Sequence, residues 1–352
     1  MRLRGQKSLP GAECRGVLKS SGGDEVNVVP SIDVIIPTLN EEKNLKLCLD
    51  AIVKQNYPKN KIRITIIDGG STDSTVDIVK DYGCEVLINE EILAEPGIYK
   101  GIENSECNIC CVLAVDNIIA NDKDFFIKMT KPFLEMNVTG AFPKVIFSED
   151  EPSINKYINY RSEPFSEFIY GKACNFRNFE SVYKIKYKTD DYIIYDFKTN
   201  DFPLLALAQG FMIDKNKFKR DSKSKYDDIQ PIISIIERGG GIAYVKTAEI
   251  YHYQIMSVKS FVKKFEWRIK NNLEESRVSG SKMRRNYNLK KYLWLIYSMS
   301  LFLPFFYSIY QILRTKKNFF IYHFITNTIL LFLIPYTFIK LKLGKVYKTY
   351  KL

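Results

Sequence analysis

IRITIIDGGSTD, residues 62–73, is an apolar run that stops at a carboxylate, turns on two glycines and resumes with Ser71, Thr72 and Asp73. A parallel strand that ends this way above the start of a helix is where an open α/β sheet holds a ligand. A similar unit precedes it: DVII at 33–36 passes into Pro37–Thr38–Leu39–Asn40 and then Glu41–Glu42. Two βα units in tandem, each polar at the strand's carboxyl end, point to a nucleotide site.

Working outward, strands are expected at 32–36, 62–67, 85–88 and 109–115. Helices are expected after Asn40, after Ser71–Asp73 and near 96–105. Such alternation predicts a mainly parallel sheet with right-handed crossovers. Asn40 reads as the cap of the first helix, with Glu41 and Glu42 favoured in its first turn, and Ser71 or Asp73 as the cap of the second. Further strands are expected at Thr139–Phe147, Ala206–Ile213, Ile242–Val245 and Glu249–Tyr253, and a helix at Ile229–Arg238 opened by Tyr226–Asp228. Ser257–Asn272 has the pattern of a basic amphipathic helix, with Val258, Phe261, Val262, Phe265 and Ile269 on its apolar side. The organisation expected is a lead-in without order at 1–30, a catalytic domain at 31–255 and a basic interfacial segment at 256–291. Residues 1–30 hold no apolar run of the kind an export signal needs.

Two apolar segments follow, Tyr292–Leu313 and Phe319–Ile339, each about 21 residues without a formal charge. At 1.5 Å per residue such a run crosses a hydrocarbon core of ~30 Å. With Arg314–Asn318 between them they read as a transmembrane hairpin (292–339) with a basic tail at 340–352. Lys282–Lys291 and Lys340–Leu352 outweigh Arg314, Lys316 and Lys317, which places the catalytic part and the C-terminus in the cytoplasm by the positive-inside bias. Gln311, His323, Asn327 and Thr328 lie inside the spans and read as helix–helix hydrogen-bonding residues. The net charge of +12 is concentrated beside these segments. That favours an anionic membrane face over nucleic acid as the partner. The seven cysteines show no disulfide spacing. Cys107, Cys110 and Cys111 fall in one strand, where alternate side chains face opposite ways, so they read as core thiols in a reducing compartment and not as a metal cluster.

VIIPTLNEE, IIDGGSTDST, LAVDN and YDDIQ…IYHY, in that order over residues 32 to about 270, resemble the GT-A-fold glycosyltransferases of family 2. The resemblance implies a nucleotide-diphospho-sugar transferase with a Rossmann-like sheet and flanking helices, here followed by an amphipathic helix and two transmembrane helices. It places Pro37, Thr38, Asn40 and Glu41 around the base and ribose of the donor, with Gly70 in the same site. Asp68 is placed as the acceptor of a hydrogen bond from the nucleobase; a helix-capping Asp is the plain alternative. Asp116 is placed as ligand of a Mg2+ or Mn2+ that bridges the diphosphate, with His252 completing the metal shell or touching the diphosphate. The family's motif has a first acid where this chain has Ala114, and Asn117 is the residue at hand to take over part of its contact. Asp228 is placed as the base that takes a proton from the acceptor hydroxyl, with Asp227 beside it. Gln209 and Gly210 resemble the acceptor-side segment. Trp267 and Arg268 are assigned to lipid headgroups ahead of the leaving diphosphate.

The function these features predict is inverting transfer of a sugar from a UDP- or GDP-sugar to a membrane-associated or lipid-linked glycan acceptor, as in cell-envelope polysaccharide synthesis. A polyprenyl-phosphate acceptor, and a non-catalytic nucleotide-sugar-binding scaffold that lost its chemistry with the acid at 114, are the alternatives.

Overall fold

The computed structural model describes residues 29–219, 229–274 and 280–349. The first half alternates as the sequence predicts: β1 (Ile32–Thr38), α1 (Leu45–Val53), β2 (Ile62–Asp68), α2 (Thr75–Asp81), β3 (Glu85–Ile88), α3 (Ala94–Asn104) and β4 (Ile109–Leu113). There follow β5 (Asn117–Ile119), α4 (Phe125–Met136), β6 (Gly140–Ile146), α5 (Ser153–Arg161), α6 (Pro164–Tyr170), β7 (Ile185–Lys188), β8 (Tyr192–Tyr195) and β9 (Gln209–Asp214). The described chain ends with α7 (Gln230–Glu237), β10 (Ile242–His252), α8 (Val258–Glu274), α9 (Gly280–Met283), α10 (Tyr287–Met299), α11 (Phe302–Thr315) and α12 (Ile321–Thr349).

Among the described residues the strands form one mixed sheet in the order β3-β2-β1-β4-β9-β6-β10-β8-β7, with β5 paired to β10. β3, β2, β1 and β4 run parallel, as do β6 and β10, while β9 is antiparallel to both β4 and β6. The chain moves outward from β1 to β3 and then returns to place β4 on β1's other side. The two loops that leave the carboxyl ends of β1 and β4 therefore diverge and open a crevice, the usual ligand position in such a sheet. Side chains alternate across the sheet: Val34 and Ile36 enter one core with Leu45, Leu49 and Phe125, and Ile35 enters the other with Ile98, Phe142 and Phe211. Cys111 and Cys110 divide between those cores in the same way. Among the described residues no three His, Cys, Asp or Glu side chains converge as a metal cluster.

Several expectations change. Asn40 caps no helix: it sits at φ +56 and α1 begins only at Leu45. Its N–H donates to Ser71 Oγ (2.9 Å), and its Oδ1 accepts from Thr72 N (2.8 Å). A side chain suited to cap a helix here ties two loops together, because the positive φ turns the chain away before the helix starts. Glu41 and Glu42 consequently fall outside the first turn of α1. The two strands expected at 242–245 and 249–253 are one, β10, whose register against β6 shifts between Val245 and Glu249.

The apolar run 292–313 is not a single helix. α10 and α11 meet at 88°. Pro304 has no N–H to give the Ser300 carbonyl, and its ring would collide with that carbonyl in a continuous helix. The chain breaks there instead, with Leu301 at φ +52 and Ser300 Oγ accepting from Leu303 N at 3.2 Å. Among the described residues one helical stretch, Asn318–Leu343, is long and apolar enough to cross a membrane. α10 and α11 meet the same test only together, as a bent pair, so among the described residues the expected two-span hairpin has one unbroken span and one that is broken. A third core, with Ile154, Tyr157, Phe261, Phe265, Trp294, Phe320, Leu330 and Leu333, joins α5, α8, α10 and α12 to the sheet domain.

Candidate active site

A cleft of about 1080 Å3 opens at the β1/β4 crevice. Its wall includes Pro37, Thr38 and Glu41 from the β1 loop, Ala114 and Asp116 from the β4 loop, Gln209 from β9 and His252 from the end of β10. Pro37, Thr38, Glu41, Asp116, Gln209 and His252 thus meet in one cavity, and Trp267 and Arg268, assigned from the sequence to lipid headgroups, line it too.

The β1 loop is held by the loop after β2. Gly69 N donates to Thr38 O (2.9 Å), Glu41 N to Thr75 Oγ1 (2.8 Å) and Glu42 N to Asp73 Oδ2 (3.2 Å). Asp73 Oδ1 also accepts from Thr75 N at 3.0 Å, so it braces the start of α2, but the cap position of that helix is Ser74 and neither Ser71 nor Asp73. Asp68 organises this lock from within. It is only 6% exposed, accepts from Gly70 N and Ser71 N (both 3.0 Å) through one oxygen, and from Ser71 Oγ (2.6 Å) through the other. Asp68, Gly70 and Asn40 lie behind the cleft wall and shape the loop that forms it. Glu41 is on the wall. Burial pushes its carboxyl up from the usual range; the Asn44 hydrogen bond opposes that, and the negative charge of Asp116 adds to it.

Asp116 follows β4 in a turn closed by Asn117 N donating to Ala114 O (2.9 Å). Asn117 Nδ2 donates to Asp116 Oδ1 at 3.0 Å, which leaves Oδ2 facing His252 Nε2 at 3.7 Å. β5 and β10 pair Asn117 directly with His252, so sheet register sets this arrangement. α5 braces the same point: Asn155 and Asn159 both donate their side-chain amides to His252 O, at 2.8 and 2.7 Å. Burial lowers the His252 pKa to about 4, against the pull of Asp116, with the cations Lys264 and Arg268 adding to the drop. The imidazole is thus neutral and keeps a lone pair. Gln209 Nε2 lies 3.4 Å from its Nδ1.

One carboxylate and one neutral imidazole this close suit a Mg2+ or Mn2+ whose remaining positions are filled by water and phosphate oxygens, and fall short of a closed protein cage. The donor set therefore fits the expected metal. Lys264, on α8, was not picked out from the sequence. Its Nζ lies 3.9 Å from Asp116 Oδ2, and Arg268, one turn on, lines the same cleft. Glu163 also lines it, capping α6 by accepting from Phe165 N (2.7 Å) and Ser166 N (2.8 Å); burial raises its pKa. From there the cleft continues past Phe165, Phe265 and Trp267 to Leu330 and Ile334 of α12.

Gly210 is off the wall. It takes φ +71 beside the register shift between β4 and β9, and a Cβ there would lie 3.2 Å from Pro143 Cγ. The backbone bend, and not close approach of a substrate, is what calls for glycine. Asp227 and Asp228 lie outside the described residues.

The chain is 35% identical over 99 residues to glycosyltransferase AglE of Haloferax volcanii, covering 26% of this chain and 32% of that one. It is 27% identical over 207 residues to a dolichyl N-acetyl-α-D-glucosaminyl phosphate 3-β-D-2,3-diacetamido-2,3-dideoxy-β-D-glucuronosyltransferase of Methanococcus voltae, covering 53% of this chain and 64% of that one. The chain thus spans about a third and just under two thirds of the lengths of these relatives. Among solved structures, mannosyltransferase PcManGT of Pyrobaculum calidifontis, in complex with GDP-Man and Mn2+, superposes with a TM-score of 0.49 at 12% identity, over 86% of this chain and 87% of that one. Residues 33–199, which run from β1 past the β4 loop and α5, match the model of glycosyl transferase family 2.

Proposed function

We propose that the protein is a glycosyltransferase that moves a sugar from a UDP- or GDP-sugar to a membrane-associated or lipid-linked glycan acceptor, with its catalytic domain in the cytoplasm. The observation that carries this is the single cleft that holds Thr38, Glu41, Asp116 and His252 at one end and runs to α12 at the other. Donor and acceptor ends are then built into one cavity. The Methanococcus voltae relative, named for transfer to a dolichyl-linked sugar, supports an acceptor of that kind.

In this reading Pro37, Thr38 and Glu41 hold the nucleoside, with Asn40, Asp68 and Gly70 fixing the loops around it. Whether Asp68 also reads the base depends on its giving up one of the bonds it makes within its own turn. Asp116 and His252 hold the divalent metal, which when bound offsets the charge that builds on the departing diphosphate. Lys264 adds a fixed positive charge beside them. It pairs with Asp116 in the free protein and turns to the phosphates when the donor enters. Asn117 keeps Asp116 oriented, and Gln209 stands on the acceptor side. Asp228, with Asp227 beside it, is assigned as the base.

A polyprenyl-phosphate acceptor is the second reading. It is favoured by Lys264 and Arg268, which stand between the donor end and α12 and would meet an acceptor phosphate. Such an acceptor is already ionised and needs no base. Asp228→Asn separates the two: a loss of ~10²-fold or more marks a hydroxyl acceptor, and near-full turnover marks the phosphate. The test of function itself is release of UDP or GDP from a donor panel by the full chain with Mn2+ and a membrane lipid extract. No turnover with any donor leaves the binding scaffold as the reading.

A further inference from the structure

The outward faces of α10, α11 and α12 take no part in the cleft described above. Their large apolar side chains are exposed: Ile296 67%, Met299 66%, Phe302 72%, Phe306 63%, Leu313 65% and Phe332 64%. Their inward faces carry, beside the third core, a set of buried polar contacts. Trp294 Nε1 and Ser298 Oγ donate to Asn327 Oδ1 at 3.1 and 3.0 Å, and Phe324 N donates to Ser308 Oγ at 3.1 Å. The hydroxyls of Tyr157 and Tyr297 meet the two ring nitrogens of His323 at 2.9 and 3.0 Å. Buried polar pairs with large apolar side chains on the exposed faces depart from the pattern of a water-facing helix. This is the arrangement that hydrocarbon surroundings favour.

The same helices are fastened along their length to the sheet domain. Tyr307 OH accepts from Arg161 NH2 (2.6 Å) and donates to Glu167 Oε1 (3.1 Å). The turn between α11 and α12 rests on α5 and the segment after β6. Lys317 Nζ is 5.5 Å from the centre of the Tyr160 ring, and the Phe319 ring lies 5.5 Å from Tyr160 and 5.9 Å from Phe147. Farther along α12, Leu330 and Ile334 line the cleft, and Lys340 Nζ reaches Glu266 of α8 at 2.8 Å. In a transmembrane hairpin the turn 314–318 would stand across ~30 Å of hydrocarbon from the domain. Here it touches the domain, and both ends of the apolar part of α12 touch elements on the domain's side.

We infer that α10–α12 form an in-plane platform, seated in the one membrane leaflet that faces the catalytic domain, and that 292–339 does not cross the bilayer. Lipid is the occupant of the exposed faces. The exposed cations Lys259, Lys263 and Lys270 on α8, the last two grouped with Lys340 of α12, suit an anionic headgroup layer. The bend at Pro304 has a purpose in this arrangement, since it turns the chain back along the domain instead of through the membrane.

The test uses the full chain in sealed membrane vesicles. Single cysteines are placed at Arg314→Cys and Asn318→Cys, either side of the turn, and at Lys46→Cys on the exposed face of α1 as the reference for the domain's side. A membrane-impermeant maleimide is applied before and after permeabilisation, with the wild type as background. The expected result is that turn and reference react together, on the same side, while the chain stays with the membrane through a high-salt wash. Turn cysteines that react only from the side opposite Lys46→Cys would restore the hairpin and overturn the inference. Release by salt alone, with no binding to phosphatidylcholine–phosphatidylglycerol vesicles, would remove lipid as the occupant.

Discussion

At the scale of single residues, the site depends on what surrounds each charge. Asp116 is oriented by Asn117 and faces a neutral imidazole and a lysine, so its partners decide what it can bind. Replacing Lys264 with Gln should weaken UDP and GDP binding roughly tenfold in EDTA, about the worth of one charge-assisted contact, and less when Mn2+ is present. Isothermal titration of both proteins checks this, with Lys263→Gln, which points away from the cleft, as the control. Asp33 gives a second prediction. It is fully buried within β1 and accepts from Thr65 Oγ1 at 2.7 Å; its Oδ2 accepts no hydrogen bond and has Arg63 Nε at 3.8 Å, and burial, outweighing these partners, raises its pKa. A raised carboxylate favours folding below the unfolded value of about 4, and that contribution is lost as pH rises through the folded pKa. Asp33→Asn should therefore be more stable than the wild type at neutral pH, with the difference closing as pH falls toward 4 in thermal unfolding scans. Much of the candidate cleft was legible at this scale: Thr38, Glu41, Asp116 and His252 stand at or just past strand ends, where the sequence pattern shows them, and Gln209 was picked out by the family resemblance. Lys264 was not legible. It sits in a run of basic residues on an amphipathic helix, and only the fold shows that its side chain and that of Arg268 line the cleft while others of the run do not. Asn40 misled because a residue that caps a helix and one that ties two loops have the same chemistry.

Among elements, the crevice depends on close packing of α3 on the sheet. Gly101 makes this possible: a Cβ there would lie 2.6 Å from Ile35 Cγ2 and 3.1 Å from Ile67 Cδ1, in a core with little room to move. Gly101→Ala should lower stability by about 1–3 kcal/mol through overpacking, despite alanine's better helix propensity, as read by the thermal midpoint. A rise in the midpoint would show that α3 is free to shift. The early strands were legible because parallel strands covered on both faces read as continuous apolar runs. The bulge in β10 and the bend before α11 were harder. A register shift leaves no apolar signature, and hydropathy averaged over 292–313 hides what Pro304 does to the backbone.

At the scale of the whole molecule, α5 is the bracket between chemistry and platform. Its Asn155 and Asn159 hold the end of β10 beneath His252, and its Tyr157 and Arg161 hold α11 and α12. Tyr157→Phe leaves one nitrogen of His323 unpartnered in the interior and should cost about 1–3 kcal/mol in unfolding while leaving nucleotide binding intact. Loss of binding in that variant would show that the platform and the donor end are coupled through α5. The sequence marked the C-terminal third as apolar, but composition is silent on where the turn 314–318 lies; contacts with Tyr160 and Phe147 seat it against the sheet domain.

The central claim is that the β1/β4 crevice is a nucleotide-diphosphate site built on Asp116. Its most direct test is calorimetric titration of the full chain with UDP and with GDP, with and without Mn2+, for wild type and Asp116→Asn. The account predicts that one of the two nucleotides binds the wild type more tightly with Mn2+, and that Asp116→Asn abolishes this metal-dependent gain. Equal binding by both proteins with metal present, or no binding of either nucleotide by the wild type, would contradict it.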